Sequence, residues 1–95
     1  MKLDRLPGGD LVAKGLGDLA AGRETAEALL VAVGAARLRR GGIDVPAAAD
    51  VIDSPEHRLY ELLETEGNAA AHGRYNALVR RLVSFEHAVE HAASG

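Results

Sequence analysis

The sequence predicts an all-α fold, a small four-helix bundle with a long C-terminal heptad helix, forming a single helical domain over residues 1–95. Three observations carry this expectation. Apolar residues recur at steps of three and four, and no stretch alternates with the period of two that marks a half-buried strand. β-Branched residues, which strands favour, are sparse and scattered. Glycine, proline and capping residues punctuate the chain between the periodic segments, where helices start and stop.

The first helix is expected over residues 10–21. "LPGGD" reads as a loop in which the Asp10 side chain caps the first turn, and Val12, Leu16, Leu19 and Ala20 form an apolar stripe that ends at Gly22. The second, over residues 24–40, is apolar almost all round between Ala26 and Ala36, so it should be the most buried element. Residues 10–40 read as two helices broken at Gly22, because one continuous helix would place Arg23 in the seam. Arg37, Arg39 and Arg40 suit the negative end of the second helix, and Gly41 or Gly42 can supply its left-handed terminus.

Residues 41–53 form an acidic connector that Ile43, Val45, Val51 and Ile52 can pin to the core. The third helix, residues 55–66, carries the clearest boundary signals. Ser54 can cap it, Pro55 occupies the first helical position where a missing amide costs nothing, and Gly67 stops it, with Leu59, Leu62 and Leu63 facing inward. The last helix, residues 69–92, can be capped by Asn68. Its apolar residues Ala71, Tyr75, Leu78, Leu82, Phe85, Val89 and Ala92 fall at unbroken heptad spacing, widened by Val79 and Val83. Tyr75, Leu78, Leu82, Phe85 and Val89 are the expected interaction seam.

Composition narrows the function classes. A chain of 95 residues buries only roughly 60 to 65% of its unfolded surface, so a second copy would help to stabilise it. With no cysteine, disulfide frameworks, thiolate metal sites and a catalytic thiol are excluded. The longest apolar stretch falls far short of the ~20 residues of a membrane span, and "MKLDRLPGGD" lacks the apolar run of a signal peptide, so a soluble cytoplasmic protein is expected. The net charge of -3 disfavours general nucleic-acid binding. It is unevenly spread. Residues 23–41 carry Arg23, Arg37, Arg39 and Arg40 against Glu24 and Glu27, whereas residues 42–67 carry Arg58 against Asp44, Asp50, Asp53, Glu56, Glu61, Glu64 and Glu66.

Four groups of residues bear on chemistry. His87-Ala88-Val89-Glu90-His91 spells the zinc-peptidase pattern H-x-x-E-H, but the heptad puts Phe85 and Val89 inward and both histidines in solvent, so no metal is assigned. Gly15 to Ala20 fits the dinucleotide fingerprint without the strand that fingerprint requires, so Gly15 and Gly17 are read as a close helix approach or a bend, and no cofactor is expected. Arg37, Arg40, Arg80 and Arg81 are the candidate phosphate-binding residues, their alternative role being to pair with the acidic helix. In the last helix His72, Tyr75 and Asn76 are read as a polar anchor rather than a site.

Arg81 to His87 also resembles the arginine, four to six residues, histidine motif of the HEPN superfamily, small helical bundles that often dimerise to form a ribonuclease site. The resemblance implies that Arg80 or Arg81 binds phosphate and His87 acts as acid or base. It departs from the family pattern at Leu82, where a polar residue is usual. Six residues turn a regular helix by about 240°, so Arg81 and His87 would not share a face, whereas Arg80 and His87 would. The leading expectation is a non-enzymatic interaction module with no catalytic residue, whose partner is itself, as a homodimer, or another helical protein; the alternatives are a HEPN-like ribonuclease or a nucleic-acid accessory protein using arginines of the second and last helices.

Overall fold

The computed structural model describes residues 5–67 and 70–94, with side chains as far as residue 92. It is all-α, with helices α1 Gly9–Ala20, α2 Ala26–Val33, α3 Ala35–Arg40, α4 Pro55–Gly67 and α5 Ala71–Ser94, and a 3-10 turn at Ala47–Val51. The described residues contain no strand. No helix among them is long and apolar enough to cross a membrane. The 24 residues of α5 span about 36 Å at 1.5 Å per residue, close to the 41 Å long axis of the molecule.

The core is aliphatic around one phenylalanine. Five consecutive residues of α2, Ala28 to Ala32, are buried, as expected of the most apolar segment. They pack with Val12 and Leu19 of α1, Leu59 and Leu63 of α4, and Leu82, Phe85 and Val89 of α5. Ala20, expected in the stripe of α1, is exposed, and Gly15 is buried on that helix.

The break between the first two helices falls at Gly22, and the way it is made recurs at the end of α3. Gly22 takes φ 77° and Gly42 takes φ 92°, left-handed values that glycine adopts without a Cβ penalty. In each case the flanking amides fold back onto the helix. Gly22 N–H donates to Leu19 O at 3.1 Å and Arg23 N–H to Asp18 O at 2.7 Å; Gly42 N–H donates to Arg39 O and Ile43 N–H to Leu38 O, both at 3.0 Å. That paired pattern satisfies carbonyls a helix end otherwise leaves open.

Several boundaries differ from the sequence expectation, each for a nearby reason. Asp10 does not cap α1. The cap position is Gly8 at φ 74°, where a Cβ would lie 2.5 Å from the Arg81 carbonyl oxygen, and the Asp10 carboxylate accepts from Arg81 Nη2 at 2.7 Å instead. The second helix starts at Ala26 rather than residue 24, because Thr25 is the cap and its hydroxyl accepts from Ala28 N–H at 3.1 Å. Its predicted course to residue 40 is interrupted at Gly34, between α2 and α3. A Cβ there would lie 2.8 Å from Glu86 Oε2 and 3.0 Å from Leu82 Cδ2, so α5 crosses at the one point of the segment without a side chain.

Ser54 sits at φ 47°, outside the extended backbone from which an N-cap side chain usually reaches its amides; its carbonyl accepts the Arg58 N–H at 3.1 Å. The expected cap at Asn68 falls outside the described residues. In the connector, Val51 is 83% exposed rather than pinned to the core, while Val45 and Ala49 are buried. The cause is the period. A 3-10 turn repeats every three residues, which aligns Pro46, Ala49 and Ile52 on the inner side and turns Val51 out. Arg39 holds this segment in place, donating to both oxygens of Asp50 at 2.7 and 3.1 Å and to the Val45 and Pro46 carbonyls at 3.0 and 3.3 Å.

Candidate functional site

Among the described residues two buried carboxylates stand out, at opposite ends of α2. Asp18, 3% exposed, is the hub of the α1–α2 turn: it accepts from Lys14 Nζ at 2.8 Å, from Arg23 Nε at 3.0 Å and from the Thr25 hydroxyl at 2.5 Å. These bonds, with Lys14 foremost, then Thr25 and Arg23, hold its carboxyl well below the usual carboxylate range. Thr25 thus joins the turn and the cap of α2 in one hydroxyl. The arrangement fastens a corner, and all its donors belong to the corner itself.

Glu86 is 6% exposed and lies under Gly34 on the α5 side of the helix break. It pairs with Arg37 Nη1 at 3.5 Å, and Arg37 makes its shorter bonds to Glu90, at 2.7 and 3.2 Å. Burial pushes the Glu86 carboxyl up; Arg37 opposes that shift and the neighbouring Glu90 adds to it. Glu90 itself is held low by its hydrogen bonds from Arg37.

The sign for stability follows. A carboxyl raised by folding is protonated more readily in the folded state, so its contribution is fully present below the ordinary carboxylate range and is lost as pH rises through the folded value. At neutral pH the buried charge is therefore a cost. Glu86→Gln should be at least as stable as the parent near pH 7, and its advantage should shrink as the pH falls to about 4. Urea unfolding at the two pH values measures this. A variant clearly weaker at pH 7 would mean that the Arg37 pair outweighs burial.

Of the four candidate phosphate-binding arginines, two are held by carboxylates of the chain itself. Arg37 is engaged with Glu86 and Glu90, and Arg81 with Asp10. Arg40 and Arg80 are exposed and make no ion pair among the described residues. Helix α5 runs uninterrupted through this region, so Arg81 turns to α1 while His87, on the far side, faces solvent. Of the two arginines considered with His87, Arg80 is the one that shares its side. The pairing of basic residues with the acidic helix is present in part, as Arg74–Glu66 at 3.5 Å.

His91, like His87, is exposed, and no group of three or more histidine, aspartate or glutamate side chains among the described residues could hold a metal. The G-x-G-x-x-A stretch lies wholly inside α1. Its Gly15 is where α1 meets α2: a Cβ there would lie 2.5 Å from Val31 Cγ2 and against the Glu27 carbonyl.

No protein-family model matches the chain, and no curated protein or solved structure matches it.

Open clefts flank the core among the described residues. One, of about 350 Å³, is lined by Glu24, Leu29, Arg58, Glu61 and Leu62, with Glu24 and Arg58 ion-paired across it. Another, of about 230 Å³, lies between the α1–α2 turn and the 3-10 turn, where Leu19, Ala48, Val51 and Ile52 give it an apolar lining. Tyr60 of α4 meets Tyr75 and His72 of α5, ring centroids 5.6 and 6.5 Å apart, and His72 is in turn 3.2 Å from Asn76. Arg80 does not join them, being turned by about 140° from Tyr75 on the same helix.

The heptad seam divides in two. Leu82, Phe85 and Val89 are buried in the chain's own core, whereas Tyr75 and Leu78 are half-buried. Beside the seam, Val79 is half-buried and Val83 is 37% exposed. Tyr75, Val79 and Val83, four residues apart, form a strip along one flank of α5 with Tyr60 at its end. By spacing alone the two valines only widen the seam.

Proposed function

We propose that the protein is a non-enzymatic interaction module that acts as a cytoplasmic homodimer, and that the contact is made by the flank of α5 beside the seam. The observation that supports this is the strip Tyr75, Val79 and Val83, apolar positions on a long helix that the other helices leave half-covered or, at Val83, open. Tyrosine supplies contact area at low entropic cost and is enriched where interfaces bind most strongly. Asn76, Arg80 and His87 give the strip a polar rim, the usual surround of an apolar interface core. A small domain gains most from such a contact, since its own core buries so little.

Size-exclusion chromatography with light scattering tests the reading. The parent chain should run as a dimer at micromolar concentration, and Val83→Glu should run as a folded monomer, because an exposed position accepts the charge without disturbing the core. A parent that is monomeric, or a Val83→Glu variant that remains dimeric, removes the proposal. Leu82→Glu is not a suitable probe, because Leu82 is 3% exposed and its replacement would report on folding.

A further inference from the structure

The flank of α5 has a symmetry of its own. His72, Asn76, Val79, Val83 and His87, followed by Glu90, run along one side of the helix, and the two valines are centred level with residue 81. On either side of that centre the ends differ in chemistry. One end holds the rings of Tyr60, Tyr75 and His72, and the other holds Arg37 locked to Glu90. A face of this kind matches its own copy only when the copy is reversed. Laid parallel, it sets Glu90 toward Glu90 and rings toward rings. Laid antiparallel, it sets the aromatic end, with its imidazole, opposite the guanidinium and carboxylate end, where cation–π attraction and an imidazole-to-carboxylate hydrogen bond favour the contact.

We propose, resting on the homodimer reading above, that two copies join through this face in antiparallel orientation about a two-fold axis level with residue 81. Val79 then packs on the partner's Val83, Asn76 lies opposite the partner's His87, and His72 lies opposite the partner's Glu90. The interface is isologous, so each of these contacts occurs twice, as a closed dimer requires.

The absence of any native cysteine makes the arrangement directly testable. Asn76→Cys and His87→Cys are prepared as separate single variants, one carrying a size tag, and oxidised alone and as a mixture. In the antiparallel dimer, residue 76 and its symmetry mate are about 15 Å apart along the axis, and residue 87 and its mate about 18 Å, too far for a disulfide, whereas 76 and 87 of different copies are level. The mixture should therefore give a disulfide-linked heterodimer that is at background in either variant alone. Self-linking of each single variant would establish a parallel pair and overturn the arrangement. A non-covalent dimer by light scattering that links in neither the mixture nor the single variants would also overturn it, while leaving the homodimer reading standing. A parent monomer at the same concentration overturns both.

Discussion

Gly15→Ala is expected to destabilise the protein by about 3 kcal/mol, while Gly17→Ala, two residues along the same helix, is expected to stabilise it by about 1 kcal/mol. Both glycines are inside α1, and an alanine at either position relieves the same backbone entropy. Their surroundings decide the sign. A methyl at Gly17 meets nothing within 4 Å, whereas one at Gly15 runs into the Glu27 carbonyl and lies 2.5 Å from Val31 Cγ2. A carbonyl in the first turn of α2 cannot rotate away as a side chain can, so the two helices must part, and Val12, Val31 and Leu19 lose contact with them. Thermal or urea unfolding of the two variants against the parent measures both effects. If Gly15→Ala were neutral, the close approach of α1 and α2 would not be a constraint on the fold.

Phe85→Ala is expected to cost about 3 to 5 kcal/mol, a large part of the 5 to 15 kcal/mol that holds a typical domain together. Phe85 is the only phenylalanine and is fully buried, in a core otherwise built of leucine, valine and alanine. No neighbour is large enough to fill the space it would leave. Gly8 packs against it, where a Cβ would lie 3.4 Å from Phe85 Cβ, so the loss reaches the start of α1 as well as α5. Urea unfolding followed by circular dichroism reads the effect, and Phe85→Leu, which retains most of the volume, should lose markedly less. A loss below about 1 kcal/mol for Phe85→Ala would mean that the C-terminal half of α5 is not part of the cooperative core.

Much of the fold was legible because it rests on local rules. The helical period, the break at Gly22, the left-handed glycine after Arg40 and the Pro55 start all depend on residues within a turn of one another. What was not legible depends on contacts distant in sequence. Asp10 was read as a cap from its place before an apolar run; nothing local shows that Arg81 waits to pair with it. Gly34 looks like a tolerated glycine within a helix until α5 crosses it. Asp18 and Glu86 are polar, and a periodic pattern assigns polar residues to solvent. Asp18 could have been suspected from Lys14 four residues before it and a capping threonine seven after, but the burial of Glu86 follows only from where α3 lies. Which candidate arginines are engaged was hidden for the same reason: spacing along a helix does not reveal which of them a carboxylate on another helix has taken. The heptad spacing of α5 is a local pattern, but which of its positions the chain's own core covers, Leu82, Phe85 and Val89 rather than Tyr75 and Leu78, depends on where the other helices lie.

Arg39 bears on the order in which the chain can assemble. Joining the α1–α3 segment to α4 and α5 requires closing the stretch from residue 41 to 53, and the cost of closing a free loop grows with the logarithm of its length. One guanidinium at the end of α3 gathers Val45, Pro46 and Asp50 within eleven residues of itself. Once α3 has formed, the stretch is no longer a single loop but two short spans either side of a fixed point, each inexpensive to close. The long-range docking of α4 and α5 can then proceed from a chain already fastened at residue 50, which shortens the loop that this step must close.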